Sequence, residues 1–226
     1  MSYSFRHAVV FISGSDGSLG AEFISQSLQR GADKVYASEP TPRTWDDSRI
    51  VGVMLDVTNP ASIAQAAGLA SDTTVLINNI GEPRGGGSLL TGSLADIRDT
   101  FETNFFGPLS VTRGFAPVLG ANGGGAVLDV HSGSGWIART DSDSAAAAAL
   151  QSATDSSRVE LAAQGTHVLG LHLGATSTPM TLVYDERMTA AVARIALDGL
   201  EAGEYGRVAE NLAGSNDIDP PLVDAP

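Results

Sequence analysis

The sequence predicts an α/β fold, a doubly wound parallel sheet of about seven strands with helices on both faces. Two observations carry that expectation. Short apolar runs of strand length alternate with longer stretches of helical pattern along the chain, and parallel strands require such crossover helices. Between the first apolar run and the first helical stretch lies a glycine turn, Ser13-Gly14-Ser15-Asp16-Gly17-Ser18-Leu19-Gly20. Turns of that kind let a backbone approach a ligand closely at the head of a helix.

Taken in order, strands are expected at 7–12, 34–37, 50–55, 74–77, 126–130 and 167–171, with a seventh at 205–209. Helices are expected at 19–30, 60–69, 94–105, 109–119, 144–163 and 189–200. Asn59 before Pro60 reads as an N-cap followed by the favoured first-turn proline. Asp143-Ser144 before five alanines, Ala145 to Ala149, reads as a capped start to a strong helix. Gly85 to Gly87 after Pro83-Arg84 is expected as a loop beyond the fourth strand, on the carboxyl edge where such folds bind ligands. One domain over 1–213 is expected, followed by a poorly ordered tail over 214–226 that is rich in Pro and Asp.

Composition narrows the function. The chain of 226 residues has 26 acidic against 13 basic side chains, a formal charge of −13 that repels nucleic acid and anionic membranes. There is no cysteine, so disulfides, thiolate metal sites and cysteine nucleophiles are excluded. Residues 1–7 show no leader pattern and no apolar stretch approaches a membrane span, so a cytoplasmic protein without a membrane partner is expected. No metal site is expected.

Several segments carry chemistry. Asp56-Val57 follows the third strand, Asn78-Asn79-Ile80-Gly81 the fourth, and Asn104-Phe105-Phe106-Gly107 lies on a helix. Val127-Leu128-Asp129-Val130-His131-Ser132 closes the fifth strand, and Gly174 to Thr178 follows the sixth. In that order these segments resemble the short-chain dehydrogenase/reductase (SDR) family over about residues 7–212. The resemblance implies a Rossmann-like fold, a small-molecule substrate, a nicotinamide dinucleotide and the family's dimer helices at 109–119 and 144–163. It places Gly14 and Gly20 on the outer glycines of the family's diphosphate turn, with Ser18 on the middle one and Gly17 one place early. A side chain at Ser18 would crowd the diphosphate; the alternative is a tight connection without a ligand.

The resemblance also puts Asp56, Val57, Asn78 and Gly81 beside the adenine and Thr178 beside the nicotinamide amide. Glu39 stands where relatives that hold a 2′-phosphate have an arginine. Its carboxylate would repel that phosphate and could accept from a ribose diol, so NAD is expected over NADP if a dinucleotide binds. The alternative is a solvated turn residue.

For catalysis, the resemblance puts Asn104 on the family's active-site asparagine and Ser132 on its serine, with Ser134 a second candidate. Counting back from Arg158-Val159-Glu160-Leu161-Ala162 puts Asp143 at the position of the family's tyrosine and Ala147 at its lysine. The tyrosines of the chain are Tyr3, Tyr36, Tyr184 and Tyr205, and the sole lysine is Lys34, so no Tyr-x-x-x-Lys occurs. Ketone reduction needs an acid for the forming alkoxide, and a carboxylate has the wrong charge for that task. It suits a general base or a stabiliser of a cationic intermediate, although Asp143 could equally be only a helix cap. His131 is the other titratable candidate, but strand neighbours face opposite ways, so His131 and Ser132 share a pocket only where the strand has ended. Asp129, Asp141, Tyr184, Asp185 and Glu186 are further polar candidates.

Three functions follow from these residues. The favoured expectation is non-redox chemistry (cyclisation, isomerisation, elimination or hydration) on a small oxygenated metabolite, in which Ser132 and Asn104 orient polar groups while Asp143 or His131 handles protons. The others are an inactive subunit paired with an active homologue, and an NAD-dependent oxidoreductase of a carbonyl or alcohol with another proton donor. A homodimer or a heterodimer with a homologue is expected.

Overall fold

Seven parallel strands form one sheet in the order β3-β2-β1-β4-β5-β6-β7. The computed structural model describes residues 3–81, 87–131, 141–173 and 186–209. The strands are β1 (Val9–Ser13), β2 (Lys34–Glu39), β3 (Ile50–Met54), β4 (Val75–Asn78), β5 (Gly125–His131), β6 (Thr166–Leu173) and β7 (Gly206–Ala209). The helices are α1 (Ser18–Gln29), α2 (Pro60–Leu69), α3 (Leu94–Phe101), α4 (Gly107–Ala121), α5 (Ser142–Ala162) and α6 (Glu186–Ala202). The doubly wound α/β architecture is the expected one. The 214–226 tail, the Tyr184 and Asp185 positions and most of the 83–87 loop lie outside the described residues.

Alternation along the strands sorts side chains into two cores. Ala126, Leu128 and Val130 of β5 join Leu169 and Leu171 of β6 against Phe23 of α1 and Val192, Ala196 and Leu197 of α6. Val127 and Val168 face the other way, with Phe11 and Leu76, against Ile63 and Ala66 of α2 and Val111, Phe115 and Leu119 of α4. Phe115 is fully buried, with its ring 4.3 Å from that of Phe11.

The expected helices at 94–105 and 109–119 are joined by a single wider turn. Ser93 caps α3 through the backbone N–H of Ala95, and residues Glu102–Phe106 between α3 and α4 wind as a π-helix. Gly107 donates its N–H five residues back to Glu102 O. Pro108 follows and has no N–H to give Asn104 O, so ordinary i to i−4 winding is not available at this point. Gly107 itself lies against β3's exit, where a Cβ would stand 2.8 Å from Val57 Cγ2. Asn59 caps α2 as expected, accepting from the N–H groups of Ala61 and Ser62.

Phe115→Ala should lower the unfolding free energy by about 3–5 kcal/mol, because the ring fills the centre of the second core. Urea denaturation at constant m-value is the check.

Candidate active site

The carboxyl ends of β1, β2, β4 and β5, at Ser13, Glu39, Asn78 and His131, line one edge of the sheet. The strand order reverses between β1 and β4, so this edge holds the crevice in which doubly wound sheets bind ligands. Gly14 leaves β1 with φ +67°, and a Cβ there would sit 2.7 Å from Asn79 O. Asn79 Nδ2 donates to Gly14 O at 2.8 Å. A Cβ at Gly20 would stand 2.5 Å from Gly14 O, so both expected outer glycines are sterically required. Gly17 is the N-cap of α1 and faces open space, while Ser18 is the exposed first helical residue. No side chain among the described residues caps α1, which leaves its leading N–H groups and positive dipole end to an anion.

Glu39 is neither a free carboxylate nor a solvated turn residue. It is 6 % exposed, and its Oε1 accepts from Ser15 Oγ at 3.1 Å and pairs with Arg43 Nε at 3.0 Å. Arg43 Nη2 donates to Ser15 O at 3.2 Å, and the guanidinium lies over the Trp45 ring, 4.2 Å from its centroid. The expected phosphate-repelling corner is therefore charge-balanced. The missed signal was Arg43, a basic residue four positions after Glu39 in an acidic chain. Asp56 is exposed and accepts from Thr58 N at 2.9 Å and Thr58 Oγ1 at 2.7 Å, which lowers its pKa. Val57 packs against Gly107, and Gly81 lies just beyond β4. Asn78 is buried, with Nδ2 donating to Thr112 Oγ1 and Asp129 Oδ1, both at 2.8 Å. Its amide is thus turned into the protein. Thr178 lies outside the described residues.

The π-helix and the start of α5 bring two candidates together: Asn104 Nδ2 donates to Asp143 Oδ1 at 3.3 Å. Asp143 is not the cap of α5. That role belongs to Asp141, whose Oδ1 accepts from Ser144 N at 2.9 Å and Ser144 Oγ at 2.7 Å, leaving Asp143 in the first turn. Ser142 Oγ donates to Thr100 Oγ1 at 3.2 Å and Asp141 bridges to Ser88, so the helix start is fixed against α3. Ala147, one turn beyond Asp143, is buried. Ser132 and Ser134 lie outside the described residues.

His131 closes β5 as a strand residue, paired in register with His172 of β6. Their rings stack at 4.7 Å, and a Cβ at Gly170 would come within 3.1 Å of His131 Nε2. His131 is 2 % exposed, and neither of its ring nitrogens has a hydrogen-bond partner among the described residues. Burial pushes the pKa of His131 down to about 4. Burial, with His131 alongside, takes His172 to about 3. The pairing of the two histidines went unseen because it requires the strand register. Among the described residues, no group of three or more His, Cys, Asp or Glu could hold a metal, and no helix is long and apolar enough to cross a membrane.

The sequence model of a family described as short chain dehydrogenase matches residues 8–188. The chain belongs to the short-chain dehydrogenase/reductase family. It is 32% identical to a short chain dehydrogenase from Burkholderia cenocepacia whose crystal structure is in complex with NADP, with a TM-score of 0.80 over 91% of this chain and 89% of that one. Short-chain dehydrogenase PC-15 of Penicillium crustosum is 29% identical over 189 residues, 76% of this chain and 67% of the relative. Human retinol dehydrogenase 5 is 28% identical over 213 residues, 88% of this chain and 66% of the relative. The chain thus spans about two thirds of the length of these curated relatives, which are named as dehydrogenases.

The sole lysine of the chain stands away from α5. Lys34 opens β2 at the opposite edge of the sheet, with Nζ 3.2 Å from Tyr36 Oη and 2.6 Å from Asp72 Oδ2. Tyr36 donates to Asp72 Oδ1 at 2.8 Å. Burial first, then the Asp72 hydrogen bond, raises the Tyr36 phenol, the reverse of activation.

The two histidines make stability depend on pH. Below the ordinary histidine value of 6.5 the unfolded chain takes up protons that the folded one refuses until about 4 at His131 and about 3 at His172. The unfolded state binds more protons in that window, so stability is full above it and falls as pH drops through it. For His131 the loss amounts to roughly 3 kcal/mol. Thermal melts between pH 4 and 7 should show this slope, and His131→Leu should flatten it.

Proposed function

We propose that the chain binds a nicotinamide dinucleotide and works as an oxidoreductase whose proton chemistry runs through Asp143. The contact between Asn104 and Asp143 carries this reading. An amide that donates to a carboxylate oxygen fixes its orientation. A carboxylate so held is suited to accept a proton, here from a substrate hydroxyl during oxidation, and the SDR phenol and ammonium have no counterpart on α5. Asn104 is the positioning partner. When bound, the dinucleotide would supply the hydride acceptor.

The residues present fit that cofactor. Gly14 and Gly20 keep the turn flat against β4, and the uncapped head of α1 suits the diphosphate. Arg43, held over Trp45 and paired with Glu39, suits a 2′-phosphate, since guanidinium forks match phosphate geometry. The relative at 32% identity has NADP bound. NADP is accordingly favoured over NAD, the reverse of the expectation from Glu39 alone.

A second reading is non-redox chemistry on a small oxygenated metabolite. It draws on the same carboxylate and amide, together with the absence of Tyr-x-x-x-Lys from the sequence. Turnover that proceeds without added dinucleotide would favour it.

Titration calorimetry should show tighter binding of NADP than of NAD, and Arg43→Ala should weaken NADP by about tenfold or more while changing NAD less. Alcohol oxidation followed by NADPH absorbance should fall by roughly 10²- to 10⁴-fold in Asp143→Ala. Absence of dinucleotide binding overturns the reading.

A further inference from the structure

Asp129 lies in the middle of the molecule, 3 % exposed, on the face of β5 that α4 and α5 cover. Its Oδ2 is 2.7 Å from Thr154 Oγ1, and that hydroxyl is in turn 3.0 Å from Leu150 O. The threonine hydroxyl carries one hydrogen and can give it to only one of these oxygens at a time. A proton on Oδ2 would let both separations be hydrogen bonds, the acid donating to Thr154 Oγ1 and Thr154 to Leu150 O. On the other side Oδ1 accepts from Asn78 Nδ2, whose remaining hydrogen goes to Thr112 Oγ1. Each of these groups is then served.

The ionised form has no such balance. Both direct donors, Asn78 and Thr154, are neutral, and a buried carboxylate without a cation in contact is strongly disfavoured. Arg158 of α5 is the charged group that acts on it, and His131 follows two residues on along β5 with His172 beside it. Arg158 is committed elsewhere, donating to Val168 O, Asp155 Oδ1 and Tyr205 O at 3.1, 2.7 and 2.9 Å. The two histidines stay neutral. Arg113 of α4 is exposed.

We propose that Asp129 is a neutral carboxylic acid at neutral pH and a positioning residue, its proton fastening α5, which carries Asp143, to the β4–β5 edge that carries Asn78. The protonation rests on burial without a cation in contact together with this hydrogen count; its bearing on catalysis rests on Asp143 being the proton acceptor. Burial raises the pKa of this carboxyl, in agreement. The folded chain keeps a proton that the unfolded one releases above about pH 4. The acid's stabilisation is therefore full below that point and declines as pH rises toward the folded value.

Infrared spectra of the full chain at pH 7 should contain a protonated-carboxyl band that is missing from Asp129→Asn, a signature no merely structural side chain would give. Asparagine can donate to Thr154 and accept from Asn78, so the variant should fold. Its melting temperature should exceed the wild type's by a margin that widens from pH 4 upward. No protonated band in the wild type at pH 7, or a margin that stays constant with pH, overturns the proposal. Should the variant not fold, the same band is followed in the wild type alone, where loss on raising pH from 4 to 6 overturns it and persistence at pH 7 supports it.

Discussion

Two adjacent amides at the end of β4 hold the halves of this molecule in register. Asn78 turns inward and donates to Thr112 of α4 and Asp129 of β5. Asn79, just beyond the strand, donates to Gly14 O from its side chain and to Ser13 O from its backbone at 3.3 Å. The glycine turn rests on one, α4 and β5 on the other. Because Gly14 has no room for a Cβ against Asn79 O, turn and strand end form one solid piece. The head of α1 is thereby tied to the end of β4 through Asn79, and β4 to α4 and β5 through Asn78.

The fold was legible because strand and helix periods differ and the glycine turn marks where they meet. Boundaries moved by a few residues, as helix ends and strand ends do. Proline was the harder signal. The expected helices stop at 105 and resume at 109, yet Pro108 lies in the first turn of α4 and the chain winds without a break from α3. Pro117 lies inside α4 and does not end it. The carbonyl it cannot serve belongs to Arg113, an exposed position where water can replace the missing donor.

The site was legible in part. Counting back along α5 singled out Asp143 and the family resemblance singled out Asn104, and the amide of Asn104 donates to the carboxylate of Asp143. The nature of the neighbours was not legible. Asp143 read as a cap because an aspartate next to serine and alanine fits that role, while Asp141, two residues earlier, has the same chemistry and takes it. Glu39 read as an open charge because nothing local shows that Arg43 folds back over Trp45 to meet it. His131 and His172 are 41 residues apart in sequence, and only the parallel register of β5 with β6 makes them a pair. Asp129 was one carboxylate among several until its oxygen neighbours could be counted.

The wide turn at Glu102–Phe106 has a consequence for how the site could arise or be lost. A π-turn inserts an extra residue into a helix and rotates everything that follows by about a quarter of a circle relative to regular winding. Deleting Phe105 or Phe106 would leave α4 anchored at Gly107 and Pro108, and the phase error would fall on α3 and Asn104. The amide would then swing off Asp143 with no change in either side chain. The pairing at the crevice is accordingly a matter of chain length within five residues as much as of residue type.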